Sequence, residues 1–171
     1  MQLPLKTSFP PIAQQSARIL ILGTLPSVQS FKRQQNYGNP QNQFWRLIYA
    51  LFGQVPDAAY ENKKEFLHAH KIALWDSIRS ATNPGSLDGD IKDITPNDFD
   101  WFFAAHPGIR HIFFNGAKSE QVFKRYYPGY YAAFPHTRLP SSSPIPTPAV
   151  RSFEQKLQKW LVIKEVLDAI T

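Results

Sequence analysis

Amide, hydroxyl and carboxylate side chains collect in short polar segments of the sequence that lie beside apolar runs. Asn39 and Asn42 lie in NPQNQFW, and three serines lie between two prolines in LPSSSP. Asn115 follows HIFF directly, and Asp76 follows IALW. Amides and hydroxyls orient a polar ligand by hydrogen bonds, whereas a carboxyl group can accept or supply a proton. The pattern indicates a polar binding site with Asp76 as the best-placed acidic group.

The asparagines also have ordinary structural explanations. Asn39 precedes Pro40, a pair typical of a helix N-cap followed by proline at the first helical position. Asn42 would then be the third helical residue, with a side chain able to point into a cleft. Asn115 would cap a turn, although a polar group at the end of a buried strand needs hydrogen-bond partners in any case.

Carboxylates and histidines do not form a recognisable metal site. Asp88 and Asp90 are two further acids near Asp76, and Asp76 itself would alternatively cap the turn that follows it. His68 and His70 lie two residues apart on a predicted helix and so face different directions. Since cysteine is absent, thiolate zinc sites and disulfides are excluded. We expect no metal and no cofactor.

Four apolar runs with β-branched residues predict buried strands. They are Ala17–Gly23, Lys71–Asp76, Arg110–Gly116 and the shorter His136–Pro140. Helical patterns separate them, and strands that alternate with helices form a parallel sheet covered on both faces. We therefore predict an α/β fold, a three-layer α/β/α sandwich with a central, mostly parallel four-stranded sheet, in one domain of residues 1–171.

The polar segments fall on one edge of this predicted sheet. Ligands of open α/β sheets bind beyond the carboxyl ends of the strands, where GTLPSVQS, WDSIRSATNPGSLDGD, NGAKSE and LPSSSP are expected. Backbone N–H groups and serine hydroxyls in such loops can bind phosphate. A P-loop is excluded because no Gly-Lys-Ser/Thr follows the first strand. Without further context, each loop is also an ordinary connection.

Charge and hydropathy narrow the choice of partner. The formal charge of +6 and the pI of about 9.6 favour a polyanion, because basic residues displace counterions from phosphates. We find no apolar run of about 18 residues, so we expect no membrane span. The first residues lack an apolar core, so we expect no signal peptide and a cytoplasmic location.

Together these segments resemble the uracil-DNA glycosylase superfamily, and within it the hypoxanthine (deoxyinosine)-DNA glycosylase branch. ILILGTLPSVQSFKRQQNYGNPQNQFWRLIY is similar to the first family motif with its base-stacking loop. IFFNGAKSEQVFKR is similar to the segment that carries a base-reading Asn, and LPSSSP to the loop that enters the minor groove. The resemblance implies a monofunctional glycosylase of base excision repair that acts on a flipped, deaminated base.

The resemblance also implies roles for individual residues. Asn42 would be catalytic, because uracil-removing relatives carry Asp or Asn at the position of Leu25, which cannot orient water. Tyr37 would stack on the base, with Thr24 and Leu25 beside it. Asn115 would donate to O6 and accept from N1–H of hypoxanthine, and uracil presents the same edge. DNA contacts are expected from six side chains, namely Ser27, Ser30, Ser141, Ser142, Ser143 and Arg138.

Two alternatives remain open at the level of sequence. The loss of the acidic or amide group at Leu25 is also compatible with a weakly active or inactive sensor of distorted DNA. The serine-rich rim is compatible with an α/β hydrolase that binds nucleotides or phosphate esters. The preferred expectation is DNA as the partner, no membrane contact, a monomer, and a location on the nucleoid.

The absence of a metal-ligand pattern gives a first prediction. Hypoxanthine release from inosine-containing DNA should proceed at full rate in excess chelator, because positioning and fixed hydrogen bonds supply the acceleration. The measurement is single-turnover excision with and without chelator. A rate that collapses in chelator and returns with added metal would contradict the prediction.

Overall fold

The computed structural model of the chain describes residues 5–82 and 91–171. The strands of these residues are β1 (Leu5–Thr7), β2 (Ile19–Gly23), β3 (Ile72–Asp76), β4 (Ile78–Thr82), β5 (Lys92–Pro96), β6 (His111–Asn115) and β7 (His136–Leu139). The helices are α1 (Val28–Arg33), α2 (Phe44–Ala50), α3 (Tyr60–Ala69), α4 (Phe99–Ala105), α5 (Ala117–Tyr126), α6 (Pro128–Ala133), α7 (Phe153–Trp160) and α8 (Val162–Ile170). None of the helices in these ranges is long and apolar enough to cross a membrane.

A four-stranded parallel sheet in the order β3-β2-β6-β7 forms the centre of the fold. Strand β2 is buried along its whole length, which suits a parallel strand covered on both faces. Its alternating side chains divide between two apolar clusters: Ile19 and Ile21 face one, Leu20 and Leu22 the other. The predicted four-stranded α/β architecture is confirmed.

Helices complete both outer layers. The first cluster packs α2, α7 and α8 against the sheet, and Phe44 and Trp160 are fully buried in it. The second cluster packs α4 and α5 on the opposite face through Phe99, Phe102 and Phe123. Both layers leave the carboxyl ends of β2, β3 and β6 at one edge, where Gly23, Asp76 and Asn115 end their strands.

A second, antiparallel sheet in the order β1-β4-β5 was not predicted. The strands β4 and β5 lack the apolar runs by which the central strands were predicted. The pairing of β4 with β5 also contains register shifts. The sheet continues directly from β3 through Ser77, and its apolar residues Ile78 and Ala81 form a third cluster against which Leu25 packs. Asp88 and Asp90, which were expected near the rim, lie outside the described residues.

The helix predicted to begin at Asn39 begins four residues later. Helix α2 starts at Phe44, with Gln43 at its N-cap. Asn39 Oδ1 accepts a hydrogen bond from Gln41 N–H (3.0 Å), and Asn42 Oδ1 accepts one from Phe44 N–H (2.9 Å). These side chain–backbone bonds fold the segment into two consecutive turns, which compete with a helix. The N-cap prediction for Asn39 was therefore wrong.

Candidate active site

A polar cleft opens at the carboxyl ends of β2, β3 and β6. It encloses about 920 Å³ of space, a volume that includes the open solvent at its mouth. Almost all of the predicted site residues line it, namely Thr24, Leu25, Ser27, Ser30, Tyr37, Asn42, Asn115, Ser141, Ser142 and Ser143. Asn39 and Asp76 line it as well, whereas Arg138 does not.

The Asn115 amide joins two walls of the cleft. Its Nδ2 donates to Tyr37 Oη (3.0 Å) and to Ser142 Oγ (2.9 Å), while its Oδ1 accepts from Ser142 N–H (2.8 Å). Both amide protons are thus used inside the protein. The prediction that Asn115 reads a base stays a prediction, but in this geometry the amide has no free donor for O6.

The backbone of Tyr37 has an unusual conformation. Its φ of 55° lies in the left-handed region, which is unusual for an aromatic residue and is often found at functional sites. One face of the ring stacks on Phe44, with ring centroids 4.1 Å apart and planes 20° apart. The Asn115 bond and the Phe44 stack fix the ring at the cleft, where it can take a planar ligand.

Asn42 presents a donor to the cleft. Its Oδ1 is committed to Phe44 N–H, which orients the amide and directs Nδ2 away from that bond. Within the described residues, Nδ2 donates to no protein atom. The side chain is therefore better suited to donate a hydrogen bond to a ligand than to accept a proton from water.

The serines divide into buried structural groups and exposed ones. Ser30 is 2% exposed, and its Oγ accepts from Gly38 N–H and from Ser27 Oγ. Ser142 is 1% exposed and is bonded through both its hydroxyl and its backbone. The predicted DNA contacts of Ser30 and Ser142 stay predictions, although both side chains are buried and hydrogen-bonded within the protein. Ser141 is exposed, and Ser27 and Ser143 are partly exposed.

Lys156 was missed by sequence reasoning, although it supports this loop. It lies on α7, one turn before the buried Trp160, and its Nζ donates to Gln43 Oε1 (2.7 Å) and to Ser143 O (2.8 Å). Burial lowers the pKa of the Lys156 ammonium. The ammonium ties the start of α2 to the serine loop, and Gln43 N–H donates to Ser142 O beside it (2.9 Å).

Arg138, the remaining predicted DNA contact, lies on β7 outside the cleft. Its Nε donates to Glu120 Oε1 at 2.7 Å, and its side chain is well exposed. The Glu120 side chain is only 11% exposed and also accepts from Tyr131 Oη (3.0 Å), so the pair is half-buried and holds the guanidinium in place. The predicted contact of Arg138 with DNA stays a prediction.

Asp76 is the one carboxyl group of the cleft among the described residues. It ends β3, is 6% exposed, and pairs in register with Gly23 of β2. Burial raises the pKa of the Asp76 carboxyl from 3.8 to about 7, because the charged form is poorly solvated there. Asn97 Nδ2 holds the backbone at this point by donating to Asp76 O (2.7 Å).

A solved structure with the same fold gives the class of protein. It is a solution NMR structure from Methanosarcina acetivorans, described as a candidate uracil DNA glycosylase, with a TM-score of 0.81 and 35% sequence identity. The match covers 96% of this chain and 99% of that one. The fold is therefore that of a uracil-DNA-glycosylase-like protein.

Two curated relatives narrow the class, and both are named hypoxanthine DNA glycosylase. The one from Methanosarcina acetivorans is 42% identical over 116 residues, and the one from Methanosarcina barkeri is 38% identical over 115 residues. Each match covers 67% of this chain and 73% of the relative. No family model matches the sequence. The chain belongs to the hypoxanthine DNA glycosylase family, and the resemblance found in its sequence is confirmed.

Gly23 gives a test of the cleft geometry. A Cβ at this position would lie 2.5 Å from Tyr37 Oη and 2.7 Å from Asp76 Oδ1, so Gly23→Ala must displace both groups. We expect base-excision activity to fall by about 10-fold to about 100-fold, as for a misplaced catalytic geometry. The measurement is single-turnover excision, with folding checked by thermal unfolding.

Gly129→Ala is the matched control, because a Cβ there would have no heavy atom within 4 Å. Its activity should equal that of the wild type, and its helix should be slightly stabilised. Equal activity of Gly23→Ala and Gly129→Ala would contradict the close approach at Gly23.

Proposed function

We propose that the protein is a monofunctional DNA glycosylase that hydrolyses the N-glycosidic bond of hypoxanthine in DNA, with uracil as a second base. The 42% identity to a relative named hypoxanthine DNA glycosylase carries this proposal. The cleft supports it with a fixed aromatic ring, neutral polar groups and one buried acid at the carboxyl edge of the sheet.

The reaction begins with removal of the base from the duplex, because a stacked base cannot enter the cleft. Flipping costs a few kcal/mol, and less for a mispaired base such as hypoxanthine. Stacking on the Tyr37 ring would recover about 1–3 kcal/mol. Thr24 and Leu25 form the neighbouring wall, where Leu25 packs on an apolar cluster and contributes shape rather than chemistry.

Asn42 acts on the glycosidic bond as a hydrogen-bond donor. As the bond to the base stretches, the sugar becomes positively charged and the purine gains negative charge. The free Asn42 Nδ2 stabilises that negative charge, and a single such donor is worth about 100-fold to about 1000-fold in rate. Water then adds to the sugar carbon, and its proton leaves for the departing purine or for solvent.

The serine loop meets the DNA. Ser141 and Ser143 supply hydroxyls near the mouth of the cleft, and Ile145 follows them with 61% of its surface exposed. Exposed apolar side chains of this kind insert between base pairs and hold a duplex open. The net charge of +6 supports phosphate binding, to which Arg138 would contribute.

We further propose that the protein acts as a monomer on nucleoid DNA in the cytoplasm. Tyr37, Asn42 and the serine loop all come from one chain and line one cleft, so the mechanism requires no second subunit. Sedimentation of the protein with and without a duplex would test the monomer.

A panel of duplexes tests the function. The protein is incubated with DNA that contains inosine, uracil, xanthine or ethenoadenine, and alkali then reveals abasic sites. We expect inosine to be cut most efficiently and uracil less. Binding without any cleavage would support the inactive sensor, and binding of free nucleotides in preference to DNA would support the α/β hydrolase.

Asn42→Ala tests the catalytic assignment. We expect the single-turnover rate on inosine DNA to fall about 100-fold or more, with DNA affinity nearly unchanged, because the lost donor acts only as the bond breaks. Asn39→Ala is the matched control. It removes one exposed turn bond, so its cost should be at most about 1 kcal/mol of stability, with little effect on rate.

The opposite pattern would reverse the assignment. If Asn39→Ala abolished excision and Asn42→Ala did not, the donor that acts on the purine would belong to Asn39. Rates are measured with enzyme in excess, so that weaker binding is not mistaken for slower chemistry.

A further inference from the structure

Asp76 is a polar group of the cleft that the mechanism above leaves unused. The residue is 6% exposed at the end of β3, no other described residue donates a hydrogen bond to its carboxyl group, and the carboxyl oxygens face the cleft. It lies over Gly23 together with Tyr37 Oη, at the inner end of the cleft. A buried carboxyl group without a protein partner is costly, and a bound ligand would satisfy it.

Among the described residues, the lining of the cleft offers Asp76 no counter-charge. Neighbouring elements contribute Gly23 and Thr24 after β2, Asn115 from β6, and the serines of residues 141–143 to the same lining. Among the described residues that line the cleft, Tyr37 is the one other titratable group. Neither lysine, arginine nor histidine of the described chain lines it, so nothing there compensates a negative charge on Asp76.

The depth of Asp76 determines which part of the nucleotide it meets. A flipped nucleotide stays attached to the DNA strand, so its sugar remains near the mouth and its base edge reaches farthest in. Ser141 and Ser143 are more exposed than Asp76 and suit the sugar and phosphates, whereas Asn42, which is also more exposed, suits the glycosidic end of the base. Asn115, which is 8% exposed, has both amide protons committed to Tyr37 and Ser142.

We propose that Asp76 reads the O6/N1–H edge of the bound base as a neutral carboxylic acid. Its O–H donates to O6 of hypoxanthine, and its carbonyl oxygen accepts from N1–H, in a planar pair of hydrogen bonds. The ionised carboxylate would still accept from N1–H but would face O6 with a second acceptor. This inference rests on the proposed function, because it concerns the base of the same reaction.

The raised pKa of Asp76 supports the neutral form of the carboxyl group that the proposal requires. Burial raises the pKa of its carboxyl to about 7, so the neutral form is well populated at neutral pH and dominates below it. Since the proton can sit on either oxygen, the same acid also fits the reversed edge of adenine. Discrimination against adenine then rests on the higher cost of flipping a correctly paired base.

Three proteins test the proposal: the wild type, Asp76→Asn and Asp76→Ala. Inosine excision is measured under subsaturating single-turnover conditions from about pH 5.5 to about pH 8.5. The wild-type rate should fall about tenfold for each pH unit above about 7, since the competent acid loses its proton there. Asp76→Asn keeps a donor and an acceptor without titrating, so it should stay within a few-fold of the wild-type rate at low pH and show no such fall.

Asp76→Ala should be at least about 10-fold slower than Asp76→Asn at every pH, because both hydrogen bonds are lost. Asp76→Asn also controls for ionisation of the substrate, which is the same for all three proteins. If Asp76→Asn were as slow as Asp76→Ala, or if wild type and Asp76→Asn had the same pH profile, the proposal would be overturned. A wild type inactive on inosine at every pH would instead reject the proposed function.

Thermal unfolding supplies a readout that does not depend on activity. Because the pKa of Asp76 is raised in the folded protein, the folded state holds this proton more tightly than the unfolded chain. The unfolding temperature of the wild type should therefore fall relative to Asp76→Asn as the pH rises from about 4 to about 7. A constant difference over that range would show that Asp76 is ionised throughout, and would overturn the proposal.

Discussion

The hydrogen bonds of the Asn115 amide hold the cleft in shape. A buried amide must satisfy its donors, and Asn115 does so by joining Tyr37 to Ser142 across the end of β6. The stacking ring and the serine loop are therefore positioned by the same side chain. Loss of this amide would remove the partner of the buried Ser142 N–H, at about 1–3 kcal/mol.

The loops around the cleft cannot pair all of their backbone N–H and C=O groups with one another, so a rigid conformation requires other hydrogen-bond partners. Here side chains replace the missing backbone pairs: Asn42 bonds to Phe44, Ser30 to Gly38, and Lys156 to the serine loop. The left-handed Tyr37 persists within this network. Rigid groups need no rearrangement when charge develops on a departing base, which is how electrostatic catalysis becomes effective.

The central strands and the position of the cleft could be predicted from the sequence, because both depend on burial of long apolar runs. The apolar runs ending at Gly23, Asp76 and Asn115 identified the central strands and the edge on which the cleft lies. Short-range polar bonding was not predictable, since Asn39 and Asn42 use their amides to form turns where Pro40 suggested a helix. Ser142 and Lys156 are buried against residues that are distant in the sequence, so no local sequence pattern predicts their burial.

Solution NMR of the Asn115 side-chain amide tests the central claim most directly. The measurement compares Asn42→Ala protein, in which excision is slow, bound to inosine DNA and to an otherwise identical duplex with an abasic analogue. Both Nδ2 protons should keep their nuclear Overhauser contacts with Tyr37 and Ser142 when the base enters. Loss of one of these contacts with inosine alone would show that Asn115 releases Tyr37 or Ser142 to read the base, and would contradict the role of Asn115 as the fixed support of the cleft.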